Sequence, residues 1–322
     1  MAQPFTICVG TVGAGVWFSP DSGDHWRRSK MNLPFHAEPG EVQIRSLTAS
    51  PHNPHHLLAG SEAGLYRSED NGATWDLIDS PMDGQQIWST SWHPTNPDTI
   101  FAGTKAPNVY RSKDRGKSWE KLSVPMAKEC FAGAPKVTNI IVDSADPHTV
   151  FVGVEIDGVF RSRDGGDSWT RLPALGDKML NQDVHGLARW AGPSPKLFAT
   201  TPDGIWTSTN DGDSWSLHGF PKFADRDAIS YCRGMAIKPD DPDIRFELAT
   251  TCLKYGRDEE ASHWFQGILR KNPNHLPTLK ALAEYYQKKG NQKLATHYRR
   301  KAENAGGSGS AKVPSSRPAT SN

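Results

Sequence analysis

Up to about residue 243, apolar residues come in short runs with a period near two, separated by turn-forming residues, and the runs recur in sets of four. Residues 42–49 and 138–142 typify the first run of a set; residues 57–60, 100–103 and 150–153 typify the second. Proline-containing turns at 51–54 and 94–97 join first to second. This pattern predicts short strands in repeating four-stranded units. From about Asp243 the spacing changes, and Leu248, Cys252, Leu253, Ala261, Trp264, Phe265, Ile268 and Leu269 follow the ~3.6-residue period of amphipathic helices. Gly256 and Asp258 separate two helices, Asn272-Pro273 ends the second, and residues 274–277 open a third.

One motif marks the end of the third run and the start of the fourth. Ser-x-Asp-x-Gly-x-x-Trp occurs at Ser19, Asp21, Gly23, Trp26; at Ser68, Asp70, Gly72, Trp75; at Ser112, Asp114, Gly116, Trp119; and at Ser162, Asp164, Gly166, Trp169. A fifth copy, Ser208, Asn210, Gly212, Trp215, carries Asn for Asp. Successive copies start 49, 44, 50 and 46 residues apart. Ser and Asp can bind backbone donors across a hairpin, Gly takes the turn conformation, and Trp begins the next strand and fills the core. The motif resembles the Asp-box, or bacterial neuraminidase repeat, and residues 1–243 resemble the β-propellers of sialidases, sortilin-like receptors and the plant photosystem II assembly factor. That resemblance implies a mostly β fold of four-stranded blades, with the box a structural turn away from any ligand site. The first unit starts at its second strand, and a lone first strand is expected at 231–237. Pairing it beside residues 5–10 would complete a shared blade and close a five-bladed ring without a free edge.

The helical part resembles a tetratricopeptide repeat at Leu248, Ala249, Gly256, Ala261, Phe265 and Pro273. Leu282, Ala283, Tyr286, Gly290, Ala295 and Ala302 repeat most of that register 34 residues on, with Arg299 where a large apolar residue would sit. The expected organisation is a propeller over 1–243, a small all-α helical-repeat domain over 244–305, and a disordered Gly, Ser and Pro-rich tail over 306–322. Charge separates the parts as well. The net charge is +1, but 14 basic and 6 acidic residues lie from 244 onward, leaving 23 basic and 30 acidic before it. Ten of the eleven tryptophans lie in the acidic part. Two repeats are few for an independent solenoid, so the helices are expected to dock a partner or another copy. The basic cluster Lys288, Lys289, Lys293, Arg299, Arg300 and Lys301 reads as a solvated helix face, and nucleic acid is not an expected partner.

The propeller resemblance also places candidate chemistry, because first strands line a propeller's channel and their starts form its mouth. The aligned mouth positions are Arg45, Trp88, Thr138, His185 and Arg233. Loops leading in carry His36, Glu38, Glu41, Asp83, Glu129, Asp177, Lys178, Asp183, Asp225, Arg226 and Asp227; loops between second and third strands carry Glu62, Lys105, Glu155, Asp157 and Asp203. The expected ligand-binding set is Arg45, Trp88, His185, Arg233, Glu155, Asp157 and Asp183. A sialidase would need a third mouth arginine and a tyrosine nucleophile with its acidic partner, and the nearest Arg-Ile-Pro equivalent, Arg171-Leu172-Pro173, falls on an outer strand. An acidic pair such as Asp157 with Asp183 is the remaining route to glycoside hydrolysis.

No nucleophile elbow, phosphate-binding loop or paired-Cys or paired-His metal motif occurs, and no metal or cofactor is expected. Cys8, Cys130, Cys232 and Cys252 stand far apart, as expected of buried, reduced thiols. With no apolar stretch of membrane length and no export signal, a cytoplasmic protein without membrane contact is expected. The functional expectation is a non-catalytic scaffold that binds a protein or glycan at the mouth and a second partner, or itself, through the helices. The alternatives are a glycoside hydrolase acting at the mouth and a fusion of two parts without a settled combined function.

Overall fold

The computed structural model describes residues 5–32, 42–191, 195–220, 232–236, 246, 249–250, 252–253, 256 and 258–307. The chain divides into two compact units, Met1–Ile237 and Lys238–Asn322.

The first unit is a series of antiparallel sheets built as the apolar runs predict. β1 (Ile7–Gly10), β2 (Val16–Ser19) and β3 (Arg27–Arg28) form a three-stranded sheet. β5 (Ile44–Ala49), β6 (Leu57–Ser61), β7 (Leu65–Ser68) and β8 (Thr74–Leu77) form the second, with β4 (Lys30–Met31) added in parallel to β8. The third comprises β9 (Ile87–Trp92), β10 (Ile100–Thr104), β11 (Val109–Ser112) and β12 (Glu120–Leu122). The fourth comprises β13 (Val137–Val142), β14 (Val150–Val154), β15 (Gly158–Ser162) and β16 (Thr170–Arg171). The fifth comprises β17 (Gly186–Trp190), β18 (Lys196–Thr201), β19 (Gly204–Ser208) and β20 (Ser216–Gly219). These are propeller blades. The first holds the second, third and fourth strands of the repeat and has no first strand among the described residues, and the chain after β3 crosses to the second blade.

Residues 232–236 form no strand, so the closing strand expected at 231–237 is not made there; Tyr231 and Ile237 lie outside the described residues. Each hydrophobic core lies between neighbouring blades: Phe101, Val109 and Leu122 of the third pack with Val137, Val152 and Phe160 of the fourth. Second strands are consequently covered on both faces, and every residue of β10 and β14 is buried. That explains their uninterrupted apolar runs.

The Asp-boxes are hairpin turns held by their own side chains. In every copy the glycine N–H donates to the box Ser Oγ at 2.8 Å, and that hydroxyl in turn donates to the Asp or Asn Oδ1 at 2.7–2.9 Å. The same Oδ1 accepts the backbone N–H of His25, Thr74, Ser118, Ser168 or Ser214. The residue before each box glycine, Ser22, Asn71, Arg115, Gly165 or Asp211, has φ between 57° and 71°, so two successive left-handed residues make the turn. Asn210 keeps this arrangement without a charge, its Nδ2 donating to Ser214 Oγ.

Hydrogen bonds to the ionised form hold the box acids low. Asp21 is lowered to about 2, chiefly by the His25 N–H, and Asp114 to about 2, chiefly by the Ser118 hydroxyl; the Ser168 hydroxyl and N–H hold Asp164 well below the usual range. Since these folded values lie below the unfolded ~3.9, the stabilisation is fully present above about pH 4 and is lost as pH falls toward 2. The boxes' share of acid sensitivity in thermal melts should therefore fall between about pH 4 and 2, and Asp114→Asn should shrink the decline there. A fall centred above pH 5 would assign the acid sensitivity to other groups.

The second unit is helical. Phe246, Ala249, Thr250, Cys252 and Leu253 are helical, followed by α1 (Asp258–Lys271), α2 (Leu276–Lys288) and α3 (Gln292–Gly307). Ala249, Cys252, Ala261, Phe265, Ile268 and Leu282 form its core. Gly256 and Gly290, 34 residues apart, both have φ near +70° and turn the chain between helices. His275 caps α2, its ring accepting the Thr278 N–H, and Pro277 sits in the first turn. Arg299, the departure from the repeat pattern, is exposed and donates to Gln287 Oε1 at 2.5 Å. The cluster from Lys288 to Lys301 is exposed, with Lys289 paired to Asp258 at 2.6 Å. α3 continues through Gly307, past the expected start of the tail at 306; residues 308–322 lie outside the described residues. All four cysteines are free, but only Cys252 is buried; Cys8, Cys130 and Cys232 are half-buried.

Candidate functional site

The starts of β5, β9, β13 and β17 carry a chain of contacts running from blade to blade. Arg45 and Trp88 are the extra residues of bulges in β5 and β9, and Asp183 follows a 3-10 turn over Met179–Gln182. In each place side chains two residues apart meet: Arg45 Nη2 donates to Gln43 Oε1, Trp88 Nε1 donates to Gln86 Oε1 at 3.1 Å, and His185 Nε2 lies 3.0 Å from Asp183 Oδ1. Trp88 joins two blades further, with the Arg45 guanidinium 4.7 Å and the Lys136 ammonium 4.6 Å from its ring centre. Lys136 also donates to Glu155 Oε1 at 2.6 Å. Ligand atoms of Glu155, Asp183 and His185 all lie within 4.8 Å of one another.

The backbone fixes this arrangement. Thr138 Oγ1 donates to the Val184 carbonyl at 2.7 Å, pinning the segment before β17 to β13, and the Glu155 N–H donates to the Lys136 carbonyl at 2.9 Å. Side chains of Asp183, Glu155 and His185 are 5%, 12% and 15% exposed, so their charges act in a partly desolvated setting.

The structure thus brings together Arg45, Trp88, Glu155, Asp183 and His185 of the expected set. Asp157 has other partners: its carboxylate accepts the Ala127 N–H at 2.7 Å and pairs with Arg171 of outer strand β16 at 3.0 Å. The expected Asp157 and Asp183 pair is therefore two separately engaged carboxylates. Arg233 is exposed. Asp83 and Glu129 are exposed, Glu62 accepts the Gln43 N–H, and Lys178 pairs with Asp203. His36, Glu38, Glu41, Asp225, Arg226 and Asp227 lie outside the described residues. Lys136 was not among the expected site residues. Its signal was present, since it stands two residues before Thr138 as Gln43, Gln86 and Asp183 stand before Arg45, Trp88 and His185.

The chain is an Asp-box-like β-propeller followed by tetratricopeptide-like helices. Residues 63–154 match the family model described as Sortilin, neurotensin receptor 3, and residues 226–284 match that of the tetratricopeptide repeat, whose span begins upstream of the expected boundary at 244. Among solved structures, an ancestral GH74 enzyme is similar at 20% identity over 67% of this chain and 30% of its own, with a TM-score of 0.56. The GH74 xyloglucanase from Xanthomonas campestris is similar at 18% identity over 65% of this chain and 35% of its own, with a TM-score of 0.52. This chain therefore spans about a third of the length of either enzyme, and the likeness shows the propeller fold. YCF48 bound to D1 peptide is also similar, at 19% identity over 55% of this chain and 53% of its own, with a TM-score of 0.40. No curated protein matches the chain. No helix among the described residues is long and apolar enough to cross a membrane.

Proposed function

We propose that the chain is a non-catalytic interaction scaffold, whose propeller mouth takes a protein or glycan ligand and whose tetratricopeptide-like helices dock a second partner or another copy. The observation that carries this is Trp88, an aromatic platform at the mouth with a cation from each of two neighbouring blades against its ring. Such a surface stacks a sugar ring or a peptide side chain and steers acidic groups toward it. The carboxylates support a binding role as well. A retaining or inverting glycosidase needs two of them free to exchange protons or attack. Here Asp157 is engaged by Arg171 and a backbone N–H, Glu155 by Lys136, and Asp183 faces His185.

The propeller likeness to GH74 enzymes keeps a hydrolase as the second reading, with Asp183 as its best-placed acid. Xyloglucan and a panel of chromogenic glycosides separate the two. No release of reducing sugar or chromophore above blank is expected, together with retention of the protein on glycan or peptide arrays that drops at least about tenfold in Trp88→Ala. Turnover abolished by Asp157→Ala or Asp183→Ala would replace the scaffold reading with the hydrolase.

A further inference from the structure

We propose that Glu155, Asp183 and His185 form a zinc site at the propeller mouth. Nothing in the sequence spacing marks it, because one ligand comes from the loop after β14 and two from the segment before β17. The fold supplies the convergence. Asp183 and His185 meet at 3.0 Å after the 3-10 turn, Thr138 pins the residue between them, Val184, and Glu155 approaches from the neighbouring blade.

The distances suit a small ion. Two ligands about 2.0–2.1 Å from zinc at the tetrahedral angle are about 3.3 Å apart, and His185 Nε2 already lies 3.0 Å from Asp183 Oδ1. Glu155 completes the set, with all three ligand atoms within 4.8 Å of one another. One imidazole with two carboxylates favours a transition ion over calcium or magnesium, which take oxygen ligands alone. Three protein ligands leave a fourth position for water or for an acidic group of whatever occupies the mouth.

Lys136 identifies the site as one that calls for positive charge. Its ammonium contacts Glu155 at 2.6 Å and the Trp88 ring at 4.6 Å, and so supplies a positive charge to one of the three ligands. When zinc takes over that charge, the ammonium keeps the face of Trp88 as its alternative contact. The lysine is therefore a competitor of the metal, which gives the proposal an unusual signature: a substitution outside the ligand set should strengthen binding.

Titration of the metal-free full chain with zinc sulfate, followed by calorimetry, tests this without any mouth ligand, so its outcome is independent of the scaffold reading. One ion per chain is expected at micromolar affinity or better. Glu155→Gln and His185→Ala should each weaken it at least about tenfold, and Lys136→Met should tighten it several-fold. Cobalt in place of zinc should give the visible absorption of a four-coordinate ion, lost in His185→Ala. Should His185→Ala fail to fold, Glu155→Gln and Lys136→Met carry the test. Zinc binding unchanged in both of those variants, or absent from the wild type, overturns the proposal.

Discussion

Trp75→Ala is expected to lower the stability of the propeller unit by about 3–5 kcal/mol, the range for deleting a large buried aromatic side chain, while Trp26→Ala at the equivalent box position should cost less than about 1 kcal/mol. Trp75 is 1% exposed and packs with Val16, Val42, Ile44, Ala59 and Tyr66; Trp26 is 43% exposed. The difference has two sources. Each box packs on the blade before it: Gly72 lies against Cys8, Gly116 against Ile78, Gly166 against Leu122 and Gly212 against Leu172, whereas Gly23 meets only Ile7 of its own blade. The second source is the crossing strand β4, which pairs with β8 at Lys30 with Thr74 and Met31 with Trp75 and lays a strap over that tryptophan. Ser29 Oγ donates to the Gly72 carbonyl at 2.5 Å and Asn32 N–H to the Trp75 carbonyl at 2.9 Å, so the strap is fastened at both ends. Urea unfolding followed by tryptophan fluorescence measures the effect, because ten of eleven tryptophans lie in residues 1–243 and the signal reports that unit. Equal losses in the two variants would show that the strap and the preceding blade contribute nothing to Trp75.

This asymmetry marks where the sequence could be read and where it could not. The box spacing, the four apolar runs and the turn to a 3.6-residue period predict the blades and helices, since each is a local consequence of turn chemistry and side-chain alternation. What is non-local was missed. Nothing in residues 27–32 announces that two of them leave the first blade for the second, because a two-residue parallel pairing has no periodicity of its own. At the mouth, the aligned positions point to Arg45, Trp88 and His185, but their contacts depend on neighbours from other blades; the spacing that places Lys136 two residues before Thr138 does not say that its ammonium meets Glu155 and Trp88. Asp157 looked like a partner of Asp183 because both fall in mouth loops. A buried carboxylate takes the cation and N–H that its surroundings offer, here Arg171 of its own blade and Ala127 from the segment after β12, and sequence does not contain that choice.

Gly60→Thr should be the most damaging single change on the inner strands, costing about 3 kcal/mol or more by overpacking, while the reciprocal Thr200→Gly should cost only about 1 kcal/mol through lost strand propensity. In the ladders, Gly60 lies opposite Ser46, Gly103 opposite Ser89 and Gly153 opposite Asn139, each time small on the second strand and larger on the first. A Cβ on Gly60 would stand 2.5 Å from Ser46 Oγ and 2.6 Å from the Ile87 carbonyl oxygen, and a backbone atom of the next blade cannot yield as a side chain does. The fifth blade inverts the pair, with Thr200 on the second strand opposite Gly186 on the first. There the following chain comes to the other strand: Met235 N lies 3.6 Å from where a Gly186 Cβ would be. A second contact changes at the same blade. Arg67, Arg111 and Arg161, each just before a box serine, donate to the carbonyls of Arg115, Gly165 and Asp211 in the next box, and the fifth blade has Thr207 at that position. Both devices that seat one Asp-box blade on another are therefore present in the second, third and fourth blades and replaced in the fifth. Chemical denaturation of the two variants side by side measures the asymmetry. A Thr200→Gly loss as large as that of Gly60→Thr would mean that the fifth blade is packed like the others, and the absence of a strand at 232–236 would then need a different cause.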